Sequence, residues 1–489
     1  MISALILVPA MAGLLAFLVR DNRLRRALLL CAATAHFGLT VWAWISEPPP
    51  VLGGWLFLDA PGRLFLGITS LLFLAVALYT VGYLDREGNI NHRDFQERTE
   101  FLNAPEKVFT GSLLFFLSTM TLVTTSQHFG LLWVAIEATT LASAPLIYFH
   151  RQRRSLEATW KYLLICSVGI ALALLGTFFL AVAATNSGAE TSLQLSDLTR
   201  EAASFNIPWL HAAFIFLLVG YGAKMGLAPL HTWLPDAHSE APSVISALLS
   251  GALLNCAFLG ILRAHQVCVA GGQALFSQEL LLVFGLMSMA VAAVFIMGQP
   301  DYKRMLAYSS VEHMGILALG VGLGGNGVFG SLLHAVSHSL TKAMLFLVAG
   351  NILAAYGSKM VAEVSGLAKR LPISGFLWLA GFMAIVGLPP FGLFLSEFTI
   401  LKAGLEQGAI PMMILYLTLL SFVFIGMVTA ALRMTQGVPD NEANGIISPE
   451  PKSSVIAPII LFSLVLLLGL HIPSFLNDVL QAAALAIGG

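Results

Sequence analysis

Charge is scarce in this sequence. Only 10% of its 489 residues are Asp, Glu, Lys or Arg, and 57% are hydrophobic, whereas an ordinary globular domain carries roughly a quarter charged residues. Such a chain cannot clothe a soluble fold. Cysteine is equally sparse: Cys31, Cys166, Cys256 and Cys268 stand singly, with no Cys-x-x-Cys pair, which excludes a zinc or iron–sulfur ligand set read from spacing. No flavin, haem or nickel ligand set is present, so no cofactor is expected in this chain. The 25 Lys and Arg nearly cancel the 26 Asp and Glu, which leaves no global field to attract nucleic acid. The N-terminus begins apolar without the basic stretch of a cleaved signal peptide and reads as a first membrane span.

What fills the chain is long apolar runs. Between charged or Pro/Gly-rich breaks they fall near 2–20, 27–45, 62–84, 108–126, 129–149, 157–184, 208–230, 243–265, 279–298, 305–323, 327–356, 372–403, 411–432 and 454–476. Fourteen spans of about 20 residues would take roughly 280 positions and leave no room for a soluble domain. The expected fold is therefore an all-α polytopic membrane protein with about 14 transmembrane helices. The basic residues alternate as short cytoplasmic loops require. Arg20, Arg23, Arg25 and Arg26 follow the first span, Arg86, Arg93, Arg98 and Lys107 the third, and Arg151, Arg153 and Arg154 the fifth. Lys303 and Arg304 follow the ninth, Lys359, Lys369 and Arg370 the eleventh, and Arg433 and Lys452 the thirteenth; the opposite side holds only Arg63, Arg200, Arg263 and Lys402. Both termini are expected on the outer face.

Three spans carry internal breakers: the seventh ends in Gly226-Leu227-Ala228-Pro229, the eleventh holds Ser337-His338-Ser339, and the twelfth contains Gly387-Leu388-Pro389-Pro390. Interrupted helices at corresponding places in two halves point to a transporter's ion path, because freed carbonyls and half-helix ends face a polar cavity. Residues 108–265 (spans four to eight) and 279–432 (spans nine to thirteen) would be two five-helix repeats, inverted because five is odd. Residues 1–107 form an N-terminal three-helix segment with a charged loop, and 454–489 a C-terminal helix.

Ionisable groups inside apolar runs are costly, at about 2.5–3.5 kcal/mol each on insertion scales, and mark ion paths. Glu137 lies well inside span five, and Lys224 lies just before the Pro229 break. A desolvated lysine with a carboxylate partner makes a two-state proton switch, and Glu137 is the candidate partner. His334, His338 and Lys342 follow at i, i+4 and i+8 along one helix face, a spacing suited to proton relay. Two histidines at i and i+4 also suit zinc, but no Glu follows the first, so the zinc-protease pattern fails. Glu397, beyond the Gly-Pro-Pro break, reads as an exit group. Glu312 and His313 are secondary candidates, Glu312 being offset in its span much as Glu137 is. Asn255 cannot titrate and reads as an interhelical contact. A scaffold in which these polar residues only hold helices together remains open.

The stretch Pro229 to Pro242, with His231, Asp236 and His238, resembles the signature of one superfamily. It comprises the antiporter-like membrane subunits of respiratory complex I, the multisubunit sodium/proton antiporters and the membrane-bound energy-converting hydrogenases. The likeness continues through Lys303 to Ser310, the His334/His338/Lys342 helix and Gly387 to Glu397. Glu157 to Cys166 and Ser310 to Met314 are most similar to component F of hydrogenase-4-type complexes.

The resemblance implies a proton path across the membrane midplane, with Glu137 and Lys224 as a switch pair, His334, His338 and Lys342 as the link, and Glu397 as the terminal group. His231, Asp236 and His238 come with the signature as secondary candidates. Many relatives place a lysine or histidine where this chain has Asn255, so either a water wire spans that gap or the relay is broken. The function expected is a proton-translocating subunit of a redox-driven complex in a prokaryotic inner membrane, of the hydrogenase or formate hydrogenlyase type or else like complex I. The alternatives are a subunit of a cation/proton antiporter and a non-pumping scaffold. Other membrane subunits and a peripheral redox arm would be its partners, the arm holding iron–sulfur with nickel–iron or flavin. The ion would be H⁺, with Na⁺ open, and no nucleic acid is involved.

Overall fold

Aspartate and asparagine side chains open several of the helices. Asp21 accepts from the amides of Arg23 (2.6 Å) and Leu24 (3.1 Å), Asp59 from Gly62 (3.1 Å), and Asp301 from Lys303 (2.8 Å) and Arg304 (3.0 Å). Each satisfies amides that the first helical turn leaves unpaired. The computed structural model describes residues 1–88, 92–93, 100–185, 192–436 and 450–489.

The helices run α1 (Ile2–Leu18), α2 (Asn22–Ser46), α3 (Ala60–Glu87), α4 (Glu106–Thr125), α5 (Phe129–Ile147) and α6 (Arg153–Ala184). After the short α7 (Leu195–Glu201) come α8 (Ile207–Met225), α9 (Trp233–Glu240) and α10 (Ser243–Leu248), which passes through a π-helical stretch, Leu249–Leu253, into α11 (Leu254–Ala270). The rest are α12 (Ala274–Ile296), α13 (Tyr302–Leu323), α14 (Asn326–Tyr356), α15 (Leu367–Arg370), α16 (Pro372–Ile385), α17 (Gly392–Glu406), α18 (Ile410–Gln436), α19 (Lys452–Leu470) and α20 (Ser474–Ile487). Among the described residues, twelve helical segments are long and apolar enough to cross a membrane, and α1, α16 and α20 are shorter apolar helices. The protein is a nearly all-helical polytopic membrane protein, as its composition requires, with a short antiparallel strand pair, His92–Arg93 and Glu100–Phe101, after α3.

Two of the three interruptions fall where the breakers lie. Span seven stops at Met225, where Gly226 takes a left-handed φ of +88° and turns the chain towards α9. Span twelve is two helices, α16 and α17, separated by residues 386–391. The third expectation fails: α14 runs unbroken through Ser337-His338-Ser339. Its hydroxyls bond back into the helix, Ser339 to the Ala335 carbonyl (2.6 Å) and Thr341 to that of Ser337 (2.8 Å), so polar residues there replace no backbone bond. The C-terminal segment also differs, because α19 ends at Leu470 and a separate α20 packs on α3 and α14. Gly469 lies against the backbone of Pro390 and Phe391, so the chain threads past the α16/α17 break before turning into α20.

Small residues let helix pairs approach closely. Gly220 of α8 faces the Gly169 carbonyl of α6, and Gly315 of α13 faces that of Gly285 on α12. A methyl group at either would meet backbone, the usual device of helix packing in lipid. The chain is buried throughout residues 243–268 and almost so along α13, while α18 is largely exposed, so the ionisable side chains of α13 and α14 sit at the centre of the bundle.

On the face where the basic loops lie, Arg26 bridges Asp85 (2.6 Å) and Glu106 (2.9 Å). In the charged loop 85–107, Asp94, Glu97 and Arg98 lie outside the described residues. At the opposite end of the bundle the buried Arg263 pairs with Asp59.

Candidate functional site

Lys224 occupies the last turn of α8 and is fully buried. Its ammonium donates to Thr140 Oγ1 (2.8 Å) and to the Tyr162 hydroxyl (2.6 Å), and stands 4.4 Å from the Tyr162 ring centroid. Thr140 lies three residues beyond Glu137 on α5 and donates its own hydroxyl to Glu137 Oε2 (3.3 Å). Ser167 of α6 donates to Oε1 (3.0 Å). Lysine and carboxylate are therefore joined through one hydroxyl, Lys224 to Thr140 to Glu137, rather than in direct contact. A hydroxyl donates and accepts at once, so this link can pass a proton along. Tyr162 is held by Ser143 (2.6 Å) and packs on Trp233, with ring centroids 4.9 Å apart.

Asn255 follows the π-helical stretch by two residues and reaches α14. Its amide donates to Ser339 Oγ (2.8 Å) and to the Gly251 carbonyl (3.0 Å), while its buried Oδ1 has no hydrogen-bond partner among the described residues. The neutral residue thus spans the space between α11 and the His338 neighbourhood.

On α14, His334, His338 and Lys342 lie along one face, all fully buried. His313, from α13, enters between the two histidines: its Nδ1 is 2.9 Å from His334 Nε2, and its ring centroid is 4.9 Å from that of His338. Ser396 of α17 donates to the Leu393 carbonyl (2.8 Å), so its oxygen accepts from His334 Nδ1–H (2.9 Å). This fixes the His334 tautomer, with the Nε2 lone pair facing His313. Lys342 donates to the Leu306 carbonyl and to Ser309. Glu397, next to Ser396, lays its carboxylate against Gly387 at the end of α16. The ligand atoms of His313, His334 and Glu397 lie within 4.8 Å of one another. Both nitrogens of His338, Nε2 of His313, Oε1 of Glu397 and Oε2 of Glu312 are buried without partners among the described residues. Such unpaired polar atoms are rare in a dry interior.

Lys224 precedes its break, on α8, whereas Glu397 follows its own, on α17. The two are not at matching places. Asp236 holds Arg304 and Lys161 (2.9 Å) on the bundle's surface, and Lys359 pairs with Glu240 (2.8 Å). The stretch around Asp236 thereby staples α9 to α6 and α13. His238 is fully buried, stacks on Phe346 at 5.2 Å and has both nitrogens unpartnered among the described residues. His231 is buried with its Nδ1 likewise unpartnered. Reading the sequence missed Thr140, Tyr162, Ser167 and Ser396. Hydroxyls are frequent in membrane helices, and nothing in their spacing sets these four apart.

Residues 126–424 match the sequence profile of the family described as NADH:quinone oxidoreductase/Mrp antiporter, transmembrane. The hydrogenase-4 component F homolog of Methylacidiphilum infernorum is 35% identical over 479 residues, 96% of either chain. NADH-quinone oxidoreductase subunit N of Desulforudis audaxviator is 28% identical, over 90% of this chain and 86% of its own length. Among solved structures, a chain of the archaeal membrane-bound sulfane sulfur reductase superposes with a TM-score of 0.87 at 21% identity, covering 99% of this chain and 97% of that one. A chain of the Mrp complex from a Dietzia species gives 0.84 at 20%, with the same coverage.

Proposed function

We propose that this chain, which belongs to the NADH:quinone oxidoreductase/Mrp antiporter family of membrane subunits, moves protons across the bilayer while redox chemistry in partner subunits drives it. The observation that carries this reading is the hydroxyl link between Lys224 and Glu137. A buried ammonium costs several kcal/mol to desolvate and is retained here beside a carboxylate it reaches through one exchangeable hydroxyl. Protons travel from the Glu137–Lys224 pair past Asn255 to His338, His313 and His334, and leave by Glu397. The unpartnered nitrogens and oxygens around His338 and Glu397 support a hydrated interior, since buried water takes such atoms as partners. Asn255 orients water across the gap between the two groups.

The two halves, residues 108–265 and 279–432, act as inverted repeats within a fourteen-span fold, with the basic loops inside and both termini outside a prokaryotic inner membrane. Iron–sulfur and nickel–iron or flavin centres belong to a peripheral arm, in a complex of the hydrogenase type. A second reading, a scaffold, is favoured by Asn255 alone, which carries no titrating proton at the bridge.

The test is redox-driven proton uptake by vesicles containing the whole complex, comparing wild type with Lys224→Ala and following assembly on a native gel. Lost uptake with an intact complex supports translocation here. Normal uptake makes the chain a scaffold, and sodium-dependent proton release without redox drive makes it an antiporter.

A further inference from the structure

The donor set at the centre of the second half differs from the one the sequence pairs. His334 and His338 are neighbours on one helix face, but their ring centroids are 6.5 Å apart. The close group is His313 of α13, His334 of α14 and Glu397 of α17, three side chains from three helices with ligand atoms inside 4.8 Å. Two imidazoles and a carboxylate are the protein donor set of open zinc sites, whose fourth position is taken by water or substrate.

We infer that His313, His334 and Glu397 form a binding site for a divalent borderline-soft cation, Zn²⁺ being the ion whose chemistry fits the donors.

Three further observations bear on it. His334 has the support that metal-binding histidines need: its Nδ1–H is tied to Ser396 Oγ, so the tautomer is set and the Nε2 lone pair points at the group. Glu397 Oε1 and His313 Nε2 are buried atoms without hydrogen-bond partners among the described residues, and a metal satisfies the first directly. For His313 to bind through Nδ1, its proton moves to Nε2. Glu312, next to His313 in the chain, is also buried and leaves its Oε2 without a partner among the described residues. The spacing is looser than a tetrahedral zinc shell, so binding draws Glu397 inward. Gly387 leaves it free on the other side.

The consequence is inhibition. The lone pairs that hold the ion are those the proposed relay uses, so an occupied site blocks proton transfer through His334 and Glu397. Binding itself does not depend on that relay and is measured without turnover.

The test uses the full chain in lipid nanodiscs, titrated with Co²⁺ as a visible probe and then with Zn²⁺. One Co²⁺ per chain with the absorption of a tetrahedral site is expected, displaced by one equivalent of Zn²⁺. His313→Ala and Glu397→Gln should abolish the band. Ser396→Ala should weaken binding by roughly tenfold or more, as loss of a supporting hydrogen bond does, and His338→Ala should leave it unchanged. Should His313→Ala fail to fold, Glu397→Gln and Ser396→Ala decide. No saturable tetrahedral band, wild-type binding in Glu397→Gln, or loss of the band in His338→Ala would overturn the assignment. If binding is found while Lys224→Ala vesicles pump normally, the site stands and the translocation reading falls.

Discussion

The carboxylate of Glu397 rests against the α-carbon of Gly387, so closely that a Cβ at 387 would overlap Oε2. Gly387 also holds φ at +69°, a region that costs an L-residue roughly 1–2 kcal/mol. One glycine therefore both ends α16 and makes the space in which a buried acid from α17 sits.

Gly387→Ala is expected to push Glu397 out of its place. Redox-driven proton uptake should fall while the complex still assembles, and thermal stability of the purified chain should drop by about 1–2 kcal/mol from the backbone alone. Unchanged uptake would mean that the position of Glu397 is incidental.

Thr140→Val keeps the shape of the side chain and removes the hydroxyl between Lys224 and Glu137. A hydrogen bond to a charged group is worth about 1.5–3 kcal/mol, so proton uptake should slow by roughly tenfold to a hundredfold. Thr140→Ser should restore most of it. Equal rates in valine and serine variants would remove Thr140 from the path.

Asn255→Leu fills the gap between α11 and α14 with an apolar side chain of similar size. Loss of the hydrogen bond to Ser339 should cost about 1 kcal/mol of stability, and uptake should nearly cease if water crosses there. A leucine variant that pumps normally would show that the route avoids Asn255.

Asp59 makes an acid-sensitive clamp with Arg263. Burial works to raise its carboxyl, but the Arg263 guanidinium and the Gly62 amide more than offset this, leaving it below its ordinary value. Such a group gives its full stabilisation above the ordinary carboxyl value of about 3.9 and loses it as pH falls through the lower, folded value. Thermal unfolding in detergent should therefore show a stability loss below about pH 4. Asp59→Asn leaves Arg263 buried and unpaired, should cost about 3 kcal/mol at neutral pH, and should flatten that acid limb. An unaltered acid limb in the variant would assign it to other groups.

Asp236→Ala removes the partner shared by Arg304 and Lys161. Because Arg304 is 43% and Lys161 46% exposed, solvent screens both pairs, and the loss should stay near 1 kcal/mol, seen as weaker assembly on a native gel rather than altered uptake per assembled complex.

Much of this protein follows from its sequence alone. Apolar runs of membrane-crossing length fix an all-helical membrane fold, because in lipid the backbone must satisfy its own hydrogen bonds. Pro229 and the Pro389-Pro390 pair mark two interruptions for the same reason that they break any helix: no amide to donate and a ring that clashes with the preceding turn. The buried Lys224, Lys342 and Glu397 and the half-buried Glu137 are conspicuous because charge in an apolar run is expensive.

Other features depend on packing that spacing does not encode. The Ser337-His338-Ser339 segment stays helical because hydroxyls fold back on their own carbonyls. The C-terminal segment divides into α19 and α20 where it passes the α16/α17 break. Which hydroxyl joins Lys224 to Glu137, and which histidine stands beside His334, is decided by how α5, α8, α13, α14 and α17 lie against one another. Residues 21 positions apart, His313 and His334, come within hydrogen-bond distance only because α13 and α14 form an antiparallel pair. A linear pattern records which side chains share a helix face; contact between faces is set by the three-dimensional close packing of small and large residues along each helix.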